Sequence, residues 1–460
     1  MSDFLQELQS RLGSPLLINA DISARYQHDW SSEPAGVPIA VARPGSTGEV
    51  AAIMQVCSQY GQKVVVQGGL SGLCGGGNPR SDELAISLER LSGIEEIDHA
   101  SMTMTVKAGT PLQLIQEAAA SAGFVFPLDL GARGSCNIGG NISTNAGGNQ
   151  VLRFGMTRNL VLGLEAVLAD GTVISSMNKM LKNNAAYDLK QLFIGSEGTL
   201  GIVTRAVLRL YPKAQSRCSA LLAVSEFPQV ISLLHKLTRD FAGSLSAFEV
   251  MWHSYYHFIT DNVKGVTSPF GERHPLYLLV ELEGGDSERD QALFETSLGA
   301  ALEQGLAVDA AVAGSQRERE GFWKIRDGVA EIGQFIRDTA NFDVSVPISS
   351  IQSFLAAIES ELGSKVPAAK MLVFGHIADS NLHFICYTGK REDIKTMYRI
   401  VYDTVGRFHG SVSAEHGIGV QKLNYLHYSR SPAELALMRT LKQAMDPQGL
   451  LNNGRVLPPV

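Results

Sequence analysis

The sequence predicts an α+β protein of two domains with a C-terminal strap, on three observations. The 460-residue chain is too long for one small core. Its texture changes near Ala214, from glycine-rich stretches between strands to an alternation of strands and helices. Its tail, from Asp446, is rich in Pro, Asn and Gly and reads as an extended return segment. The expected divisions are residues 1–213, 214–444 and 445–460.

Composition sets the outer limits. Hydrophobic residues at 45% and charged residues at 18% describe an ordinary globular enzyme. A net charge of −7 without a basic cluster argues against non-specific nucleic-acid binding. The leading MSDFLQELQSRLG alternates like a surface helix and lacks signal-peptide character. No run of about 18 apolar residues points to a membrane span. The five cysteines, Cys57, Cys74, Cys136, Cys218 and Cys386, are scattered without CxxC spacing, so reduced thiols and a cytoplasmic location are expected.

Within the first domain, Val37–Ala42 reads as a strand. The turn Arg43–Thr47 then caps a helix to about Tyr60, with Val50, Ile53, Met54 and Cys57 on one face. The strand Lys63–Gln67 runs into Gly68-Gly69-Leu70-Ser71-Gly72 and on to Gly77. A strand feeding a glycine-rich turn points to phosphate binding, although the spacing fits neither GxGxxG nor a P-loop. Strands at 84–88, 94–98 and 102–107 and a helix at about 111–122 lead to a second stretch, PLDLGARGSCNIGGNISTNAGGNQVLRFG, residues 127–155. No helix or strand favours that composition, because glycine loses the most backbone entropy on ordering. Backbone N–H groups and small hydroxyls facing an anion account for it. The alternative is a flexible linker, which rarely interleaves residues such as Ile138, Ile142 and Val151. Residues 160–168 and 172–175 read as a hairpin about Asp170-Gly171. A third glycine-bearing stretch, FIGSEGTLGIV at 193–203, enters the strand 204–211. Beyond Ala214, strands at 221–224 and 276–282 alternate with helices at about 228–241 and 317–337.

With these stretches in order, the chain resembles the FAD-linked oxidases and dehydrogenases of the vanillyl-alcohol-oxidase type. Within them it is most similar to the D-2-hydroxyacid dehydrogenases. The resemblance covers nearly the whole chain and rests on GGLSGLCGGG, GSCNIGGNISTNAGG, IGSEGTLGIVT, GHIADSNLH, SAEHGIG and MDPQGLLNNGRV. It implies a two-subdomain FAD-binding domain of the PCMH type, a cap domain with an antiparallel sheet, and a strap returning to the FAD domain. It also implies that Gly68, Gly69, Leu70, Ser71 and Gly72 contact the pyrophosphate of a non-covalent FAD. Ser135, Gly139, Gly140, Ser143, Thr144, Asn145 and Gly148 would surround flavin and diphosphate, with Ile202 and Val203 on the adenine or ribitol side. Pro127, Gly134, Gly198 and Asn452 complete the implied cofactor set. The first loop has Leu70 and Ser71 where a flavin-linking histidine would stand, and Cys74 and Cys136 read as packed thiols.

The chemistry is expected in Met371–Thr388, MLVFGHIADSNLHFICYT. Two β-rich runs flank Ala378–Asn381; a hairpin with that loop pairs Ile377 with Leu382 and His376 with His383. Alone, the pair reads as one packed and one exposed histidine. Glu415, in Ser413–Gly419 (SAEHGIG), changes the balance, because two imidazoles and a carboxylate suit Zn²⁺ with a position left open. Mn²⁺ or Fe²⁺ fit the same ligand types. The resemblance assigns the same three residues to the metal. His416 would take the hydroxyl proton, and Arg326 would clamp the substrate carboxylate. Without the resemblance, Arg326 reads equally as a solvated arginine beside Asp327.

Three positions depart from relatives that oxidise 2-hydroxyglutarate. Asn341 stands where they tend to have lysine, Ile385 where asparagine is usual, and Ala330 where a hydroxyl residue is common. A second carboxylate would meet few partners there, so D-lactate or a larger apolar D-2-hydroxy acid is the expected substrate, with D-2-hydroxyglutarate as the alternative. An O₂-using flavin oxidase, a non-haem iron oxygenase built on the histidines, and a non-catalytic FAD-fold protein are the other readings. The electron acceptor stays open among a quinone, an electron-transfer flavoprotein and a cytochrome, and the assembly between monomer and homodimer.

Overall fold

The computed structural model describes residues 3–459; Met1, Ser2 and Val460, at the outer ends of the leading-helix and strap readings, lie outside the described residues. The chain divides into two compact units. The first takes the residues up to Gly148, Phe154–Lys213 and everything from Glu415 onward; the second takes Asn149–Arg153 and Ala214–Ala414. Residues 415–444, read from sequence as part of the cap, therefore cluster with the first unit. The helix Pro432–Met445 carries the reason, because the Lys442 ammonium is buried where it donates to the carbonyls of Thr199 and Leu451.

The first unit opens on a parallel sheet in the order Ala40–Ala42, Leu84–Ser87, Val64–Gln67. The helix Thr47–Tyr60 crosses over between its outer strands and buries Val50, Ile53, Met54 and Cys57, the face expected from their spacing. Ser46 caps its start by accepting from the Glu49 N–H, and Gly61 ends it at φ 65°. A second, antiparallel sheet runs Ile94–Asp98, Thr103–Lys107, Ile202–Arg209, Val161–Val167, Val173–Ser176. Its last two strands form the expected hairpin, with the Asp170 carboxylate accepting from the Thr172 N–H at 2.9 Å.

The glycine stretch at 127–155 corrects the expectation that its composition forbids regular structure, because Ile138–Thr144 is helical. Packing overrides propensity here. Ile138 and Ile142, four residues apart, are wholly buried, and a Cβ on Gly139 would lie 2.7 Å from that of Ala108. The helix ends at Asn145 in the left-handed region.

The second unit is a seven-stranded antiparallel sheet. Its order is Asp309–Val312, Ser216–Val224, Leu276–Gly284, Leu245–Trp252, Lys370–His376, Asn381–Tyr387, Thr339–Ser345. One face carries Leu221, Met251, Leu279, Phe374 and Ile385 in a core shared with Tyr255 and Ile259 of the helix His253–Asn262 and Phe322 and Ile325 of the helix Gln316–Arg326. Alternate residues face the other way. Phe384, for instance, stacks on Phe342 at 4.8 Å and meets Phe354 of the helix Ile351–Lys365.

Candidate active site

In the first unit the site is built from backbone. The strand Val64–Gln67 delivers the first glycine loop onto the second glycine stretch so closely that a Cβ on Gly69 would lie 1.9 Å from the Ser135 carbonyl oxygen. A Cβ on Gly68 would lie 3.7 Å from the backbone of Gly140, and one on Gly148, at φ 150°, would lie 2.2 Å from the Asp129 carbonyl oxygen. The third stretch joins the same helix, with the N–H of Glu197 donating to the Ser143 carbonyl at 2.8 Å. Asn452 ties the strap to both sides: its side-chain oxygen accepts from the Val66 N–H at 2.8 Å, and its amide donates to the Glu197 carbonyl at 2.6 Å. Leu70, Ser71, Ser143, Thr144 and Asn145 are half-buried, Gly72, Gly134 and Ser135 are exposed, and Pro127 and Gly198 are buried. Ile202 and Val203 lie inside the strand Ile202–Arg209, buried. Two buried acceptors in this region, the side-chain oxygens of Gln67 and Asn141, have no hydrogen-bond partner among the described residues. Backbone cradles too tight for a Cβ, beside acceptors waiting for a donor, fit a bound dinucleotide such as FAD.

The same loops hold the SAEHGIG segment. The Glu197 carboxylate accepts from the N–H groups of Ile418 and Gly419 at 2.7 and 2.8 Å, and the Val420 N–H donates to the Cys74 carbonyl at 2.9 Å. Gly417 and Gly419 are both in the left-handed region, and a Cβ on Gly419 would lie 2.1 Å from that carbonyl oxygen. Glu415 lies against the second glycine stretch, where a Cβ on Gly147 would meet its Oε1 at 2.6 Å. Burial pushes the Glu197 carboxyl upward, although the two N–H donors pull the other way. Sequence reading missed this residue as a holder of the segment. Its signal was an acid inside a glycine turn, at φ 51°.

The second unit builds from buried charge. His376 and His383 share one sheet face with ring centroids 5.4 Å apart, and each offers a ligand atom within 4.8 Å of the other. They are not the directly opposed pair that a loop at 378–381 implies. His383 pairs with Phe374, because the turn Ile377–Asp379 closes one residue earlier, with Ser380 at φ 70° and its N–H donating to the Ile377 carbonyl. What stands opposite each histidine on the neighbouring strand is a carboxylate: Glu249 opposite His376, and Asp343 opposite His383. Both acids are buried, at 2% and 0% exposure. Neither was assigned from sequence, where no strand was read at either position.

His376 Nδ1 lies 2.5 Å from Glu249 Oε1, and Arg326 Nε donates to Glu249 Oε2 at 2.9 Å. Arg326 is buried too; it also donates through Nη1 to Asp327 and through Nη2 to His376 Nε2, the latter at 2.7 Å. Burial alone would raise the Glu249 carboxyl, but His376 and Arg326 hold it below its ordinary value. Two imidazoles backed by carboxylates fit a divalent metal by donor chemistry, with Arg326 as the group that would have to release His376 Nε2.

The substrate positions separate. The α-helix ends at Arg326 and continues as a tighter 3₁₀ turn over Asp327–Gln334, so Ala330 is exposed and off the Arg326 face. Gly328 permits this, because a Cβ there would lie 2.6 Å from Ile259. Asn341 is exposed and directly opposite Ile385, which is buried beside Leu372, two residues along from His383. The chain leaves this unit beside the same strand, with the Ala414 N–H donating to the Asp343 carbonyl at 3.3 Å; Glu415 and His416 follow in sequence.

Comparison with known proteins agrees with both units. Residues 38–176 match the family model "FAD binding domain", and residues 213–456 match "FAD linked oxidases, C-terminal domain". A mitochondrial D-2-hydroxyglutarate dehydrogenase of Arabidopsis thaliana is 37% identical over 94% of this chain and 77% of its own. A D-2-hydroxyglutarate dehydrogenase of Xanthomonas citri pv. viticola is 38% identical over 94% of this chain and 92% of its own. In fold, the chain is similar to p-cresol methylhydroxylase, with a TM-score of 0.80 at 14% identity over 99% of this chain and 96% of that one. It is also similar to 4-ethylphenol oxidase from Gulosibacter chungangensis, with a TM-score of 0.76 at 16% identity over 99% and 97%. The fold is thus the PCMH type, with mixed helices and antiparallel sheets. The chain belongs to the FAD-linked oxidase family and is an FAD-dependent D-2-hydroxyacid dehydrogenase, an oxidoreductase acting on CH–OH groups.

Proposed function

We propose that the chain oxidises its D-2-hydroxy acid with a divalent metal held by His376, His383 and Glu415 and with His416 as the base. The observation that carries this reading is the placing of a buried carboxylate opposite each histidine, an arrangement that a merely packed pair does not need. When bound, FAD supplies the two-electron acceptor and the metal a Lewis acid at the substrate hydroxyl. Gly68–Gly72, Gly139, Gly140 and Ser143–Asn145 hold the dinucleotide through N–H groups and small hydroxyls. His416 takes the hydroxyl proton on an imidazole nitrogen. Arg326 meets the substrate carboxylate; the three hydrogen bonds described use three of its five N–H groups.

The relatives' names make D-2-hydroxyglutarate the first substrate to test. A second reading, D-lactate or a longer apolar D-2-hydroxy acid, is favoured by the uncharged pair Asn341 and Ile385 beside His383. Anaerobic flavin bleaching with D-lactate, D-2-hydroxyglutarate and their L-enantiomers decides between them. Preference for the diacid removes the apolar reading. Preference for D-lactate should move towards the diacid in Asn341→Lys. Bleaching by the L-acids alone, or full activity after chelation, would sink the proposal.

A further inference from the structure

Glu249 lies in a strand whose neighbouring residues Phe248 and Val250 are buried apolar groups, where an unpaired carboxylate costs several kcal/mol. Its two oxygens serve different partners, Oε1 the Nδ1 of His376 and Oε2 the Nε of Arg326. An arginine can only donate. Arg326 Nη2 at 2.7 Å from His376 Nε2 therefore requires a lone pair on Nε2, and the ring proton must sit on Nδ1. That is the position at which Glu249 accepts it, so two independent contacts agree on one tautomer. A neutral imidazole ligates a metal through such a lone pair.

We propose that Glu249 is a positioning residue that fixes His376 as the Nδ1–H tautomer, turning Nε2 into a ligand, while the same carboxylate anchors Arg326. The proposal rests on the metal reading above. It also explains why the position needs glutamate. A glutamine has one acceptor and one donor end. If its oxygen faces His376, its amide N–H groups oppose the Arg326 Nε–H. If its oxygen faces Arg326, its amide donates to Nδ1 and drives the proton to Nε2, which then cannot ligate. A carboxylate behind a ligating histidine also raises ligand basicity and holds the ring.

The test uses the FAD-loaded full chain with Zn²⁺ as the probe and a chromophoric chelator as competitor. Glu249→Gln should weaken Zn²⁺ binding about 10–100-fold while the flavin spectrum is unchanged. Wild-type affinity in Glu249→Gln, even with a lowered Tm, overturns the proposal. His376→Ala, run in parallel, reports on the metal reading itself. If His376→Ala also binds like wild type, that reading fails and takes the proposal with it; if only His376→Ala loses Zn²⁺, the positioning role fails alone. Should Glu249→Gln not fold, ¹⁵N-histidine NMR of the wild type decides, with the His376 signals assigned by their loss in His376→Asn. A proton on Nδ1 supports the role, and a proton on Nε2 overturns it.

Discussion

The two units make their sites from opposite materials. The first does so by removing side chains, so that Gly69, Gly139, Gly147, Gly148 and Gly419 let backbone and carboxylates approach to distances that a Cβ would forbid. The second buries charge against a sheet, setting Glu249, Asp343 and His376 in apolar strands and Arg326 against them from the end of the helix Gln316–Arg326. The difference teaches where each site is fragile. A backbone site fails when an atom is added, and a buried-charge site fails when a partner is removed.

His416, proposed as the base, would be the exception that tests this division, a working side chain in the backbone-built unit. His416→Ala should slow flavin reduction by about 10²–10⁴-fold at neutral pH, measured by stopped-flow absorbance, with FAD content unchanged. Unimpaired reduction would place the base elsewhere. Next in size, Arg326→Met leaves Glu249 buried without its arginine and should cost about 3–5 kcal/mol, read from chemical denaturation. The double change Arg326→Met with Glu249→Leu should recover only part of that loss, because it leaves the His376 Nδ1–H without its acceptor. Full recovery would mean that His376 does not depend on Glu249. Gly69→Ala should cost about 1–3 kcal/mol through overpacking against the Ser135 carbonyl. It should also lower FAD occupancy while leaving Zn²⁺ binding intact.

The smallest effect concerns acid. His257 accepts from the Tyr277 hydroxyl at 2.9 Å, and burial, with His253 and Arg273 nearby, pulls its pKa down from 6.5 to about 4. The folded state then binds fewer protons than the unfolded one between those values, so stability falls as pH drops through that window. His257→Phe should flatten the Tm-versus-pH curve between pH 6.5 and pH 4 relative to wild type. An unchanged slope would assign acid sensitivity to other groups.

The same contrast governs what could be read from the sequence. Glycine-rich turns are a local signal, so the first unit's three loops were legible, as was the Val50–Cys57 face of its first long helix. The helix Ile138–Thr144 was not, because what holds it is Ala108 and the core rather than its own composition. In the second unit the histidines and Arg326 stood out as residue types. Glu249 did not, because its role depends on a strand register with His376, 127 positions away. The hairpin register slipped for a similar reason, since no composition rule marks Ser380 as the left-handed turn residue. The change from α to 3₁₀ after Arg326, which sets the position of Ala330, was not legible either, because it goes with the close approach of Gly328 to Ile259.

The strap has a consequence for how the protein is made. Arg455 and Glu83 form a fully buried pair, and Arg455 also donates to the carbonyls of Gly76 and Asn78, at the end of the first glycine loop. Asn452 completes the edge of the Val64–Gln67 strand beside that loop. A chain synthesised from its N-terminus exposes those early loops long before their closing partners exist. The second unit, continuous from Ala214 to Ala414 apart from one short earlier segment, can settle while the first still waits. The first glycine loop is therefore closed only once Asn452 and Arg455, more than 370 residues further along the chain, are in place.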